Sequence, residues 1–132
     1  MVLGADGVQL GSRFVASLES SAHQLFKEKV VSAKEGDTVL TLKELAPVRL
    51  MKNKFYQDLE ALYQQNPSKE ELQQLLGRAR AKRGMFEGDL IDGELEIGQI
   101  SGLIDNIRPA AEIVADLVKE YNLALEELPG VI

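Results

Sequence analysis

The sequence contains neither cysteine nor tryptophan. Without cysteine there can be no disulfide framework, no thiolate nucleophile and no Cys-based zinc site. The same absence suits a reducing cytoplasm, where the chain is expected to work. Aromatic residues make up 5%, too few for a platform on which single-stranded nucleic acid stacks. The single histidine, His23, can form neither an HExxH pattern nor a histidine metal cluster, so no metal is expected. No apolar run approaches the 18 residues of a spanning helix. The opening Met1-Val2-Leu3 lacks the basic and long apolar regions of a signal peptide.

What remains is ordinary for one globular domain: 132 residues, 45% hydrophobic and 27% charged, with a net charge of −6. The charge is unevenly distributed. Only two of the fifteen Lys/Arg, but eleven of the twenty-one Asp/Glu, fall in residues 84–132. An acidic C-terminal third repels nucleic acid and anionic membrane, and neither is expected as a partner. The one basic cluster, Arg78-Ala-Arg-Ala-Lys-Arg83, reads as the last turns of a helix, where cations meet the negative end of the dipole. The eleven late acids read as a solvated surface, although Glu94 and Glu96, two apart, and Asp89 and Asp92, three apart, are spaced as pairs that acid–base chemistry could use if desolvated.

Periodicity predicts a mostly helical α+β chain. Val8-Gln9-Leu10, opened by Gly7, has the pattern of a short buried strand. Ser21-Ala-His-Gln24 has the form of a capping box. The helix that follows carries Leu25, Phe26, Val30 and Ala33 on one face and stops at Gly36. Thr38–Thr41 and Val48–Met51 predict a two-stranded antiparallel ribbon. A third segment carries Phe55, Leu59, Leu62 and Tyr63 at helical steps. Asn66-Pro67 breaks it, and Ser68 with Glu71 forms a second capping box before Leu72, Leu75, Leu76 and Ala79, with Gly84 as the stop. Residues 84–93 read as a loop, and Glu94–Ile97 fits helix and strand equally. Pro109 suits a first helical position ahead of the stripe Ile113, Val114, Leu117, Val118, Tyr121 and Leu125, and Pro129-Gly130 ends the pattern.

Two small-residue segments carry the candidate chemistry. Gly11-Ser12 closes the Val8–Leu10 run. Such a bend is either a plain glycine turn or a place where backbone N–H groups and the Ser12 hydroxyl converge on a phosphate. Gly98-Gln99-Ile100-Ser101-Gly102 permits a close backbone approach, with Gln99 as a hydrogen-bonding side chain.

The run Gly4-Ala-Asp-Gly-Val-Gln-Leu-Gly-Ser-Arg-Phe14, with Glu19-Ser-Ser-Ala-His23 and Phe26-Lys-Glu-Lys29, resembles the last barrel strand and following segment of nitronate monooxygenases and the related enoyl-acyl-carrier-protein reductases II. The likeness continues through Val48–Asn53, Gly84–Asp89 and Gly93–Gly102. Relatives are two to three times longer, so the chain looks like their C-terminal portion. The resemblance implies the end of an FMN-binding TIM barrel, its last strand and following helix in residues 1–36. A mostly helical cap subdomain with a short ribbon follows in residues 37–132. It implies that Gly11 and Ser12 touch the FMN phosphate in the eighth-strand position, where the family more often has threonine. It further implies that Gln99 lies against the flavin and Ser101 in the substrate pocket. The family's histidine base belongs to an earlier loop, so no catalytic residue is assigned here, and His23 is expected to be structural. The implied activity is oxidation of alkyl nitronates by oxygen. FMN-dependent enoyl-acyl-carrier-protein reduction is the rival. A non-catalytic helical oligomerisation module is the alternative from another class, and a homo-oligomer is expected.

Overall fold

The computed structural model describes residues 4–127. The expectations for Met1–Leu3 and for Pro129-Gly130 lie outside the described residues. Elements run in the order α1 (Ser12–Val15), α2 (Gln24–Val31), β1 (Thr38–Thr41), β2 (Val48–Met51), α3 (Lys54–Tyr63), α4 (Lys69–Leu76) and α5 (Ala110–Glu126). A π-turn, Lys82–Phe86, and a 3₁₀ turn, Gln99–Leu103, lie between the last two helices.

The expected ribbon forms. β1 pairs antiparallel with β2, Thr38 opposite Met51 and Thr41 opposite Val48. Arg49 ties the two strands by donating to the Thr38 carbonyl and hydroxyl, each at 3.2 Å. The ambiguous segment Glu94–Ile97 resolves as extended chain along the other edge of β2, with Met51 N–H donating to the Leu95 carbonyl at 2.9 Å and Ile97 N–H to the Arg49 carbonyl at 3.2 Å. Leu50 and Met51, adjacent in β2 and so on opposite faces, are both buried, Met51 in a core cluster with Leu95.

One core cluster unites Ala16, Phe26, Val30 and Ala33 with Met51, Leu95, Ile97 and Ile104, so it takes residues from both sides of the 36/37 boundary. A second joins Leu42 to Leu59 of α3 and Leu72 of α4, with Leu62, Tyr63, Leu75 and Leu76 around them. The Ser68–Glu71 capping box is present in both directions, at 3.2 and 2.8 Å.

Four expectations are corrected. Val8–Leu10 is not a buried strand: it pairs with no described residue, and Val8 is 78% exposed. A strand is stable only against a neighbour that takes up its backbone groups. The Ser21 capping box is replaced by a cap two residues later. His23 N–H is held by the Met85 carbonyl at 2.8 Å, and its Nδ1 accepts from Leu25 N–H at 3.2 Å, so α2 begins at Gln24. Replacing His23 by alanine is expected to cost about 1 kcal/mol of stability, checked by chemical denaturation. α2 also stops at Val31, well short of Gly36, which instead sits at a positive φ in the following turn.

The basic cluster follows α4 rather than ending it. Gly77, at φ +66°, terminates the helix. Arg80 then turns back, donating to the Leu75 and Leu76 carbonyls at 2.8 Å each and to the Asp92 carbonyl at 2.6 Å. Its guanidinium stands 4.5 Å from the centre of the Phe55 ring. Lys82 pairs with Glu87 and Arg83 with Asp89, so half of the cluster's four charges are matched locally by carboxylates.

α5 has the predicted stripe, but only Ile113 is deeply buried. Val114, Val118, Tyr121 and Leu125 remain 41–54% exposed. None of the described helices is long and apolar enough to cross a membrane.

Candidate functional site

The two small-residue segments, distant in sequence, meet in space. Gly98 N–H donates to the Ser12 hydroxyl oxygen at 3.0 Å, across 86 positions. A Cβ on Gly98 would stand 2.5 Å from that oxygen, so any larger residue there would push the Ser12 hydroxyl aside and break the bond. Gly98 caps the 3₁₀ turn Gln99–Leu103, which Ser101 N–H closes on the Gly98 carbonyl at 3.1 Å. At the far end of the turn Gly102 lies against the backbone of Lys34 and Glu35, where a Cβ would be 3.3 Å from each.

Gly11 is open: a Cβ there would meet nothing within 4 Å. Its carbonyl accepts from Phe14 N–H at 2.9 Å, and the Ser12 and Arg13 amides at the start of α1 have no acceptor within the helix. Among the described residues the Ser12 hydroxyl donates to none, so its proton is available. An exposed bend with a free hydroxyl and an unobstructed glycine fits the phosphate half of a mononucleotide. Arg13 does not add its charge freely. Its guanidinium grips Asn106, donating to the backbone carbonyl at 3.0 Å and to Oδ1 at 2.6 Å.

Gln99 is exposed and lines an open cleft of about 430 Å³ with Glu35, Gly36, Ile100, Gly102 and Leu103. Ser101 lines neither this cleft nor the one between α5 and Leu10. It is 1% exposed, and its hydroxyl has no partner among the described residues. His23 is engaged in capping α2, and a Cβ on Gly88 would strike its ring at 2.4 Å. Among the described residues no group of three His, Asp or Glu is arranged to hold a metal ion.

One side chain escaped the sequence reading, and one was assigned to the wrong environment. Lys27 is buried in α2, and its ammonium donates to the Ser17 and Leu18 carbonyls at 2.7 and 3.3 Å, pinning the segment that leaves α1. The available signal was a lysine lodged between Phe26 and Val30 of the apolar stripe. Glu94, assigned to a solvated surface, is only 7% exposed. Burial foremost, and then the neighbouring Glu96, push its carboxyl up to about 7, against a smaller opposing pull from Arg80.

Residues 1–120 match the nitronate monooxygenase family model. The chain belongs to the nitronate monooxygenase family. A probable nitronate monooxygenase of Staphylococcus saprophyticus is 33% identical over 123 residues, covering 92% of this chain and 34% of the relative. One from Staphylococcus aureus strain Newman is 29% identical over 130 residues, covering 96% and 35%. The structure of FabK from Thermotoga maritima superposes with a TM-score of 0.85 at 39% identity, over 99% of this chain and 42% of that one. A mutant of the same FabK gives 0.80 at 38%, over 99% and 39%. This member of the family thus spans about a third of the length of the curated relatives it matches. Its helix-rich α+β architecture resembles part of FabK, and no barrel closes among the described residues.

Proposed function

We propose that this chain supplies the C-terminal part of an FMN-dependent oxidoreductase of the nitronate monooxygenase type. In this reading Gly11 and Ser12 bind the flavin phosphate. Gln99 lies beside the flavin, and the turn around Ser101 belongs to the substrate pocket. The observation that carries it is the bond between the Ser12 hydroxyl and Gly98 N–H, which brings the candidate phosphate bend beside the Gln99 turn. When bound, FMN would take electrons from an alkyl nitronate and pass them to oxygen. The residues of this chain would hold its phosphate and border its ring. Abstraction of a proton is not assigned to them, because by the resemblance the family's histidine base belongs to an earlier loop, and His23 instead caps α2 through Nδ1.

The test is a flavin titration of the purified chain. A visible-absorbance change saturating at one FMN per chain is expected. Gly11→Ala, which fills the open side of the bend, should weaken it about tenfold or more without lowering thermal stability. A colourless protein at all FMN concentrations overturns the flavin reading for this chain. The chain alone should give no oxygen uptake with propionate 3-nitronate above free FMN. Enzyme-like rates would contradict the absence of a base.

A second reading is favoured by the likeness to FabK, which at 39% identity exceeds that to the curated nitronate monooxygenases described above. It assigns the same site to FMN-dependent enoyl-acyl-carrier-protein reduction. A third, a non-catalytic helical assembly module, is favoured by the exposed Val114, Val118, Tyr121 and Leu125 of α5. Sedimentation should find a dimer or larger species. A compact monomer at all concentrations would remove the third reading.

A further inference from the structure

We infer that Ser12 is a positioning residue for the Gln99 turn: its hydroxyl oxygen, by accepting from Gly98 N–H, fixes where the turn starts and hence where Gln99 stands. The assignment of Gln99 to a flavin rests on the proposed function; the positioning itself does not.

The turn Gln99–Leu103 is short. Its amide groups are partly satisfied from within, by Ser101 N–H on the Gly98 carbonyl and Ile104 N–H on the Ser101 carbonyl. No side chain caps it from its own first residue. Ser101 within it is buried, Ile104 just after it sits in the core cluster, and Ile97 N–H, just before Gly98, is held by the Arg49 carbonyl. Two further contacts bear on the turn itself. One is the packing of Gly102 on the backbone at Lys34 and Glu35, a contact without a directional bond. The other is Gly98 N–H on Ser12, at 3.0 Å. Of these two, only the second sets direction, because a hydrogen bond weakens steeply when misaligned and packing does not. Gly98 is held so close that a Cβ would come to 2.5 Å of the Ser12 oxygen, so the turn is seated directly on that hydroxyl.

The chemistry of a hydroxyl gives the contact a second consequence. The oxygen accepts from Gly98 and so its own proton is turned elsewhere. None of the described residues takes that proton. An acceptor arriving at the bend, such as a phosphate oxygen, would polarise the hydroxyl and strengthen the bond that Gly98 makes to it. Filling the bend and ordering the Gln99 turn are thereby coupled through one atom. A threonine at position 12 would preserve this arrangement. Alanine would remove it with little loss of packing.

The experiment is amide hydrogen exchange by NMR on the whole chain, wild type, Ser12→Ala and Ser12→Thr, with and without FMN. In the free protein, Gly98 N–H should exchange about fivefold or more faster in Ser12→Ala and near the wild-type rate in Ser12→Thr, while amides of α3 and α4 remain unchanged. With FMN, the wild type and Ser12→Thr should show further slowing at Gly98 through Gly102, and Ser12→Ala should not. Equal exchange at Gly98 in wild type and Ser12→Ala overturns the positioning role. Faster exchange in Ser12→Ala together with no FMN response in any protein upholds the positioning and rejects the flavin reading instead. Global loss of protection in Ser12→Ala, with α3 and α4 exposed as well, also overturns it, because the residue would then support the fold at large. Ser12→Thr keeps that comparison interpretable.

Discussion

Replacing Gly93 with alanine is expected to lower the thermal unfolding midpoint by roughly 10 °C, from a destabilisation of about 3 kcal/mol. A Cβ there would stand 2.2 Å from the Asp89 carbonyl oxygen, 2.3 Å from the Gly84 Cα and 2.6 Å from the Gly84 nitrogen. All three are backbone atoms, so no side chain can swing aside. Gly93 is also tied at both ends. Its carbonyl accepts from the Asn53 side chain at 2.8 Å, and its N–H donates to Asp89 at 3.1 Å. Relief must therefore come from moving Glu94–Ile97 off the edge of β2, which opens the cluster holding Leu95 and Ile97. Gly98 and Gln99 continue that same segment, so the displacement should also weaken any ligand held at the Gln99 turn. Gly11→Ala is the matched control. It adds the same methyl group where nothing lies within 4 Å, at a φ of −111°, and should leave the midpoint within about 2 °C of wild type. Circular dichroism melts of the two variants decide the point. Equal midpoints would mean that the Gly84–Gly93 contact does not exist in solution.

The contrast between those two glycines explains what was legible in the sequence. Local signals were readable where the deciding partner is close in sequence. The Ser68–Glu71 box satisfies itself within three residues, and the Phe55–Leu59–Leu62 stripe needs only helical geometry. The ribbon was equally open to reading, since β1 and β2 are joined by six residues. Signals failed where the deciding partner is remote. The α2 cap depends on the Met85 carbonyl holding His23, far along the chain, so the nearby Ser21 pattern misled. Glu94–Ile97 became extended because β2 offered an edge, not because of its own weak alternation. The Val8–Leu10 run has the pattern of a strand but no partner among the described residues, and the pattern alone does not form one.

The candidate site divides in the same way. Gly11, Ser12 and Gln99 were singled out as small or polar residues at turns, and the structure brings the bend and the turn into contact through Ser12 and Gly98. Composition could not reveal that Ser12 and Gly98 bond, because 86 residues intervene. Nor could it reveal that Ser101 is enclosed, since serine is ordinarily exposed. The basic cluster shows the physics surviving a misplaced boundary. Arg80 does neutralise the carbonyl end of α4, but from the start of the next helical turn, which folds back on the helix, rather than from its final turn.

Glu94→Gln should make the protein more stable than wild type above neutral pH and leave it nearly unchanged in mild acid. The sign follows from the direction of the shift. In the unfolded chain this carboxyl titrates near its ordinary value of 4.5, and in the folded chain burial carries it to about 7. Below the lower value both states are neutral and burial carries no charge penalty. Between the two values the unfolded state ionises first, so stability falls as pH rises, and above the upper value the loss is complete. A difference of that size corresponds to roughly 3–4 kcal/mol, reduced toward about 2 where the segment relaxes toward water. Glutamine keeps the shape and stays neutral, so the difference between variant and wild type isolates this one group. Carboxylates held low in the fold, such as Asp89 with its backbone donors and Arg83, act in the opposite direction and at lower pH, and they cancel in the comparison. Urea unfolding at pH 5 and pH 8 provides the measurement. The variant should gain about 2 kcal/mol over wild type at pH 8 and well under 1 kcal/mol at pH 5. Equal stabilities at both pH values would mean that Glu94 reaches water in solution, and the edge of β2 would then be less tightly covered than the burial of Leu95 and Ile97 implies.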